Sequence, residues 1–253
     1  MTQKKHILKT GRQGQCQCDL RCTNTAMAGK PFCKAHSSKC GRISPLSGFE
    51  PLYEPVRWNK EDEVRETHNC FSYAMNVHDP RQIQMCKDKG YCEAPFHQPG
   101  TAAGYRPFSS KRHKTCPNIV LRLLGDNPGM SMIKFEGRCP PHTSKIALVV
   151  DPNEDYHFLR QDSNMYWSHK PGAKRVTNMD AKGSLIYDPR LAHLKYDTED
   201  GVLDYSIFCG YLCAPRDSAV FLKSGGAITQ SSSSYSARPF RTRYSRRRLK
   251  DHT

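Results

Sequence analysis

Long hydrophobic runs are missing from this 253-residue chain. The longest apolar run, from Ile146 to Val150, has the length of one β-strand, so the sequence predicts no membrane-spanning helix. The first ten residues also lack the apolar stretch that a signal peptide requires. From these absences we expect neither a membrane protein nor a small secreted disulfide scaffold.

Three further signatures are absent: internal repeats, a phosphate-binding glycine loop, and a carboxylate pair of the glycosidase kind. The mean hydropathy is −0.73, yet 37% of the residues are hydrophobic, which is enough to build a core. Together with the length, this composition predicts one ordinary domain with appendages, or two small domains.

Acidic residues are scarce at both ends of the chain, which carries a net charge of +15. Residues 1–49 contain nine Lys or Arg and one acid, and residues 231–253 contain seven and one. The part between them is nearly neutral. This pattern predicts a neutral globular domain whose basic ends contact a polyanion or an acidic protein partner. The alternative is a pair of solvated tails that keep the protein soluble.

The C-terminal tail is rich in serine and arginine and predicts a segment that is disordered when free. Its arginines are interleaved with Phe240 and Tyr244, a pattern that suits phosphate contacts and base stacking. The predicted nucleic-acid-binding residues are Arg238, Arg241, Arg243, Arg246, Arg247 and Arg248. The alternative is a tail that threads between protein neighbours.

Five of the twelve cysteines lie within residues 16–40. In a reducing compartment, such usage favours metal ligation or catalysis over disulfides. Cys18 with Cys22, and Cys33 with His36, form two close pairs of the kind that tetrahedral zinc requires, and one structural zinc ion is predicted. Cys16 is an alternative to Cys18, Cys40 is a spare ligand, and reduced cysteines without metal are the other possibility.

This cluster resembles a small cysteine/histidine zinc module found in proteins of large DNA viruses and some bacteria. Four further cysteines, Cys86, Cys92, Cys209 and Cys213, are left open as a second metal site, disulfides or free thiols.

A reactive thiol is predicted at Cys70. Asn69 is a favourable N-cap, which makes Cys70 the first residue of a helix that Asp79-Pro80 is expected to end. Free backbone N–H groups at a helix start lower a thiol pKa, and thiol hydrolases hold their nucleophile in such a position. The alternative is a cysteine that only packs.

Two histidines downstream supply the remaining parts of such a site. Residues 155–161 and 165–170 are predicted strands, and a three-residue loop between them would place His157 opposite His169. A two-residue loop would break that pairing. A thiolate needs an imidazole partner and that imidazole needs an orienting group, for which Asp162 and His68 are alternatives.

Residues 66–213 resemble a papain-like thiol hydrolase domain. The resemblance is carried by the motif Asn-Cys-Phe-Ser-Tyr-Ala around Cys70 and by the two strands that contain the histidines. These residues are most similar to the compact branch that includes bacterial cell-wall peptidases and amidases. The resemblance implies Cys70 as nucleophile, His157 as general base and His169 as orienter. It also implies an α+β fold with a papain-like core, in which a cysteine-bearing helix packs on an antiparallel sheet.

The predicted organisation has five parts. They are a basic arm (1–15), a zinc module (16–40), an extended linker (41–66), a papain-like α+β domain (67–223) and a basic tail (224–253). This combination resembles proteins of large icosahedral DNA viruses. The resemblance implies a virion-associated minor capsid or packaging protein that is not secreted and that binds capsid neighbours, other virion components or DNA. The alternatives are an active cysteine peptidase or amidase and a zinc-dependent nucleic-acid-binding protein.

Overall fold

The computed structural model describes residues 16, 22–28, 33–37, 43–92, 96–199 and 201–216. The basic arm and the basic tail with its six predicted arginine contacts lie outside the described residues, as do Cys18 and Cys40. Within the described ranges, no helix has the length and apolarity needed to cross a membrane. Helices and an antiparallel sheet build this part of the chain, which confirms the predicted α+β class.

All helices of the described residues precede the sheet in the chain. The α-helices are α1 (Pro55–Asn59), α2 (Asp62–Thr67), α3 (Cys70–Ala74), α4 (Pro80–Lys89) and α5 (Cys116–Asp126), and 3-10 turns span Lys34–His36 and Lys111–His113.

The start of α3 agrees with the prediction, but its end does not. The Asn69 side chain caps α3 by accepting hydrogen bonds from the backbone N–H groups of Phe71 and Ser72. The helix ends at Ala74, shortly before Asn76 adopts a left-handed φ of 58°. The Asp79-Pro80 pair therefore does not stop this helix. Instead Asp79 caps α4, whose first turn accommodates proline because no N–H is needed there.

The strands are β1 (Ser131–Ile133), β2 (Thr143–Val150), β3 (Tyr156–Gln161), β4 (Trp167–His169), β5 (Lys195–Thr198), β6 (Gly201–Asp204) and β7 (Ile207–Pro215). The main sheet has the order β1-β7-β2-β3-β4 with antiparallel neighbours throughout. Strands β5 and β6 form a separate hairpin.

Strand β2 contains a continuous apolar run because other side chains pack on both faces of the sheet at this strand. Ile146 and Leu148 pack in a cluster with α3 and α5, whereas Ala147 and Val149 face a second cluster that contains Trp167. A strand buried on both faces has no need of the polar alternation that marks a half-exposed strand. The helix that carries Cys70 thus packs on the centre of an antiparallel sheet.

The predicted extended linker 41–66 differs from the structure. Helices α1 and α2 form within and just beyond it, and Trp58 is fully buried. The Trp58 ring packs edge-on against Tyr73 at a centroid distance of 5.0 Å, in a cluster that also contains Val64. Burial of these apolar side chains makes the segment part of the domain, since their transfer from water favours docking on the core.

The predicted three-residue hairpin loop is also wrong. Leu159, not His157, pairs with His169, and the residues between β3 and β4 form a wider turn closed by the hydrogen bond from Asp162 N to Tyr166 O at 2.9 Å. Because side chains alternate along a strand, His157 and Leu159 lie on the same face. The two histidines are therefore diagonal neighbours on one face of the sheet.

Three disulfides join described residues of the domain. They join Cys86 to Cys92, Cys116 to Cys209, and Cys139 to Cys213. Of the alternatives left open by the sequence, the structure thus gives disulfides, although Cys209 and Cys213 are not joined to each other. The preference for metal ligation or catalysis over disulfides is wrong for these six of the twelve cysteines.

Candidate active site and metal centre

One Cys/His cluster in the described part of the chain could hold a metal ion. The ligand atoms of Cys16, Cys22, Cys33 and His36 all lie within 4.8 Å of one another. Cys16 Sγ is 3.3 Å from His36 Nδ1, and Cys22 Sγ is 3.9 Å from Cys33 Sγ. Tetrahedral ligands about 2.3 Å from zinc are separated by about 3.8 Å, so the donor types and their spacing fit such an ion.

Local structure brings these four ligands together. The 3-10 turn after Cys33 is closed by the hydrogen bond from His36 N to Cys33 O, which places both side chains on one side. Cys16 N donates to Asn24 O at 2.8 Å, and Asn24 Nδ2 donates to Cys33 Sγ at 3.8 Å. Cys16 occupies the place that the sequence assigned to Cys18, which is not among the described residues.

Cys70 lies where α3 meets β3. The residue is only 6% exposed and packs in a cluster with Tyr156 and Phe158. Burial, helped by the charge of Asp155, raises the pKa of Cys70 to about 12, although the backbone N–H of Phe158, the charge of Lys170 and the backbone N–H of Phe71 oppose this rise. The predicted lowering of the thiol pKa is therefore wrong. Desolvation outweighs the start of a helix only five residues long.

His157 and His169 form a directly hydrogen-bonded pair. His157 Nε2 lies 2.8 Å from His169 Nδ1, and His169 Nε2 lies 3.1 Å from the carbonyl oxygen of Met179. Burial and the neighbouring His169 lower the pKa of His157 well below its usual value, and burial lowers that of His169 to about 4. Both imidazoles are consequently neutral near pH 7.

The Met179 carbonyl determines which nitrogen atoms carry protons. A carbonyl only accepts hydrogen bonds, so His169 Nε2 carries its proton and His169 Nδ1 has a lone pair. His157 Nε2 must then donate to that lone pair, which leaves His157 Nδ1 as the basic atom. This nitrogen has no hydrogen-bond partner among the described residues, and the His157 side chain is buried.

The Cys70 thiol packs against β3 in a cluster with Tyr156 and Phe158. The backbone N–H of Phe158, the residue that directly follows His157, counteracts the rise of the Cys70 pKa. No direct hydrogen bond joins Cys70 to His157 in the described part of the chain. Strand alternation places His157 on the same face of β3 as Leu159, whereas Cys70 packs against Tyr156 and Phe158 on the other face.

The two alternative orienting residues have other partners. The Asp162 carboxylate accepts a hydrogen bond from Arg160 Nε at 2.9 Å, with both side chains fully buried. His68 Nδ1 lies 3.0 Å from Val64 O, and His68 Nε2 accepts from Asp79 N. Of the three residues considered for this role, only His169 contacts His157.

Sequence reasoning missed Tyr205 and gave no role to Gln98. The Tyr205 ring stacks on His157 at a centroid distance of 5.2 Å. The Tyr156 hydroxyl donates to Gln98 Oε1, and Asn69 Nδ2 donates to His97 O at 2.9 Å, so the loop around Gln98 is tied to the start of α3. No local pattern marks these contacts, because they join residues far apart in the chain.

In the part of the chain that the structure describes, the fold and the sites define a disulfide-bonded α+β protein with one potential metal centre, a buried thiol and a hydrogen-bonded histidine pair. No protein-family model matches the chain. No solved structure matches it either. Over 142 residues the chain is 35% identical to insoluble matrix shell protein 1 of Ruditapes philippinarum, a match that covers 55% of this chain and 79% of that protein. The chain belongs to the family of this shell matrix protein.

This relationship corrects the predicted function. The prediction of a virion-associated minor capsid or packaging protein is wrong, because the relative is a shell matrix protein of a cellular organism. The predicted virion localisation of an unsecreted protein is wrong for the same reason, since a shell matrix is extracellular material. Predicted DNA contacts through the basic termini stay a prediction, because those termini are outside the described residues.

Proposed function

We propose that this chain is a structural component of an insoluble extracellular matrix. The observation that carries the proposal is its membership of the family of insoluble matrix shell protein 1. The disulfides fit this assignment, because such bonds form and persist in oxidising surroundings outside the cell. Two of them close long loops, which suits a protein that must stay folded without cellular quality control.

Fractionation of the source organism's tissue and extracellular matrix tests this function. The matrix is demineralised with a chelator and washed with detergent, and peptides of this chain are quantified in the insoluble residue and in the cytosol. We expect strong enrichment in the insoluble residue relative to a cytosolic marker enzyme. Recovery mainly from the cytosol would contradict the proposal.

We further propose that Cys16, Cys22, Cys33 and His36 hold one structural zinc ion, which would anchor the N-terminal segment on Tyr187 of the core. Three thiolates and one imidazole suit zinc. Metal analysis of purified protein should give one zinc per chain, lost in Cys33→Ser and retained in the matched control Cys70→Ser. Equal zinc content in the two variants would refute the site.

We propose, as a second function, thiol-dependent acyl transfer in a papain-like core. The supporting observations are the hydrogen-bond chain from Met179 through His169 to His157, which leaves Nδ1 of His157 as the basic atom, and the position of Cys70 at the start of a helix that packs on the strand of His157. The Cys70 proton passes to His157 Nδ1, and the sulfur attacks a substrate carbonyl carbon. His157 then protonates the leaving group as the thioester forms, and water or an amine takes the acyl group.

Alkylation of Cys70 in the native protein tests this second function. At pH 7.5, iodoacetamide labelling followed by peptide mass spectrometry should be slowed several-fold or more by His157→Gln, because the imidazole no longer accepts the thiol proton (general-base effects reach about 100-fold or more). His193→Gln, at an exposed position, is the matched control. Equal labelling rates in the native protein and His157→Gln would rule out the pair.

A further inference from the structure

The loop that follows β4 leaves the domain surface and returns to it within a few residues. His169 N donates to Thr177 O at 2.8 Å, and Thr177 N donates to His169 O at 3.0 Å, so these two residues close the loop 170–176. Residues 172–175, the tip of this loop, are all exposed, and the last two of them are Lys174 and Arg175. The tip therefore presents two adjacent basic side chains to solvent.

Both flanks of the tip are anchored on the domain. Before it, the buried Lys170 donates through Nζ to the backbone oxygens of Arg65 and Gly172, at 2.6 Å each. After it, Val176 is buried in an apolar cluster with side chains of α1 and α2, and its N–H donates to Asn59 Oδ1 at 2.7 Å. Opening of the tip alone thus leaves these contacts on each side in place.

The two basic side chains at the tip are available to a binding partner. Neither Lys174 nor Arg175 makes a side-chain hydrogen bond or an ion pair with another described residue, and Lys174 N donates to Pro171 O at 2.7 Å. Trypsin-like proteases take a Lys or Arg side chain into a pocket that ends in a carboxylate. Exposed loop tips are the preferred sites at which such enzymes cut folded proteins.

A second Lys-Arg pair in the described ranges shows what protects such a sequence. Lys111 and Arg112 are also exposed, but they lie in a 3-10 turn, and Lys111 Nζ forms an ion pair with Glu154. The Ser110 hydroxyl caps this turn by accepting a hydrogen bond from Arg112 N at 3.3 Å. A protease that binds an extended segment must first break these contacts, whereas the tip of loop 170–176 has no such ion pair.

The disulfides determine what a cut at the tip does to the molecule. Cys116–Cys209 and Cys139–Cys213 each join a residue before the tip to a residue after it. Strand β7, which follows the tip in the chain, also lies between β1 and β2, which precede it. A chain cut at the tip therefore remains one covalent unit with the same sheet.

We propose that the tip of loop 170–176 is a processing site for a trypsin-like serine endoprotease. The enzyme hydrolyses the peptide bond after Lys174 or after Arg175. Water adds to the carbonyl carbon, the C–N bond breaks, and the products are a carboxylate on one new end and an ammonium group on the other. The two resulting chains stay linked by the two long-range disulfides. This site is separate from the proposed matrix role and from the proposed thiol chemistry.

Limited digestion of the full-length, disulfide-bonded protein with trypsin tests the site. Samples are quenched with acid over time, reduced, digested with chymotrypsin and analysed by mass spectrometry, which quantifies cutting at each Lys-Arg pair separately. We expect the tip to be cut at least several-fold faster than the Lys111-Arg112 pair, because only the latter is held in a turn by an ion pair. On gels, the fragments on either side of the tip should separate only after reduction.

Paired variants provide the control. Lys174→Gln with Arg175→Gln should lose the cut at the tip, whereas Lys111→Gln with Arg112→Gln should keep it. Faster cutting at Lys111-Arg112 than at the tip in the native protein would overturn the inference, a comparison that needs no variant to fold. Fragments that separate without reductant would refute the disulfide-linked product. Neither result alters the matrix assignment, which the tissue fractionation tests on its own.

Discussion

Removal of the Cys139–Cys213 disulfide should strongly destabilise the domain. The bond joins residues 74 positions apart and ties the segment before β2 to β7, its neighbour in the sheet. In the loop-entropy description, a cross-link of this span disfavours the unfolded chain by about 4–5 kcal/mol. We therefore expect the double substitution Cys139→Ala with Cys213→Ala to lower the free energy of unfolding by about that amount.

The Cys86–Cys92 bond provides an internal comparison. Its sequence separation of 6 gives about 2 kcal/mol by the same reasoning. Urea unfolding followed by tryptophan fluorescence measures both losses, because Trp58 and Trp167 are fully buried and become exposed on unfolding. Cys70→Ala, which removes a buried thiol but no cross-link, gives the cost of lost packing alone.

The ranking of the variants decides the outcome. Removal of the Cys139–Cys213 bond must lower the free energy of unfolding more than removal of the Cys86–Cys92 bond. Both losses must exceed the loss caused by Cys70→Ala. A loss below about 1 kcal/mol for the Cys139 and Cys213 variant would mean that this bond does not restrict the unfolded chain. The reasoning that links the disulfides to an extracellular role would then lose its energetic basis.

Acidification should also destabilise the domain, because burial lowers the pKa of His68 and His169 from 6.5 to about 4. The unfolded chain binds these protons first, so stability is intact above pH 6.5 and falls towards pH 4, by up to about 3 kcal/mol per histidine. Equal urea midpoints at pH 7 and pH 4.5 would contradict this. Arg160→Met should cost about 3–5 kcal/mol by leaving Asp162 buried and unpaired, whereas Lys87→Met, at an exposed ion pair, should cost less than about 1 kcal/mol in the same assay.

Local signals explain what the sequence predicted well. The start of α3 follows from Asn69, whose side chain satisfies the first free N–H groups of the helix. The prediction that His157 and His169 share one face of the sheet follows from strand alternation. It holds although the predicted loop length is wrong, because the true register differs by two residues and a shift of two keeps each side chain on the same face.

Long-range contacts explain what the sequence could not predict. Cys116 forms a disulfide with Cys209, 93 positions away, and no spacing rule predicts this pairing from the sequence. The stacking of Tyr205 on His157 likewise depends on how a separate hairpin docks. The resemblance to virion proteins rested on the combination of a short cysteine pattern, a papain-like core and basic termini, and such a combination does not define a function.

Disulfide mapping of the native protein tests the central claim, that this chain is an extracellular, cross-linked matrix protein, most directly. Protein isolated from its natural source is alkylated without reduction, digested, and analysed by peptide mass spectrometry. The account predicts linked peptides for Cys86–Cys92, Cys116–Cys209 and Cys139–Cys213, and a free thiol at Cys70. Alkylated, unlinked peptides for these three pairs would contradict it.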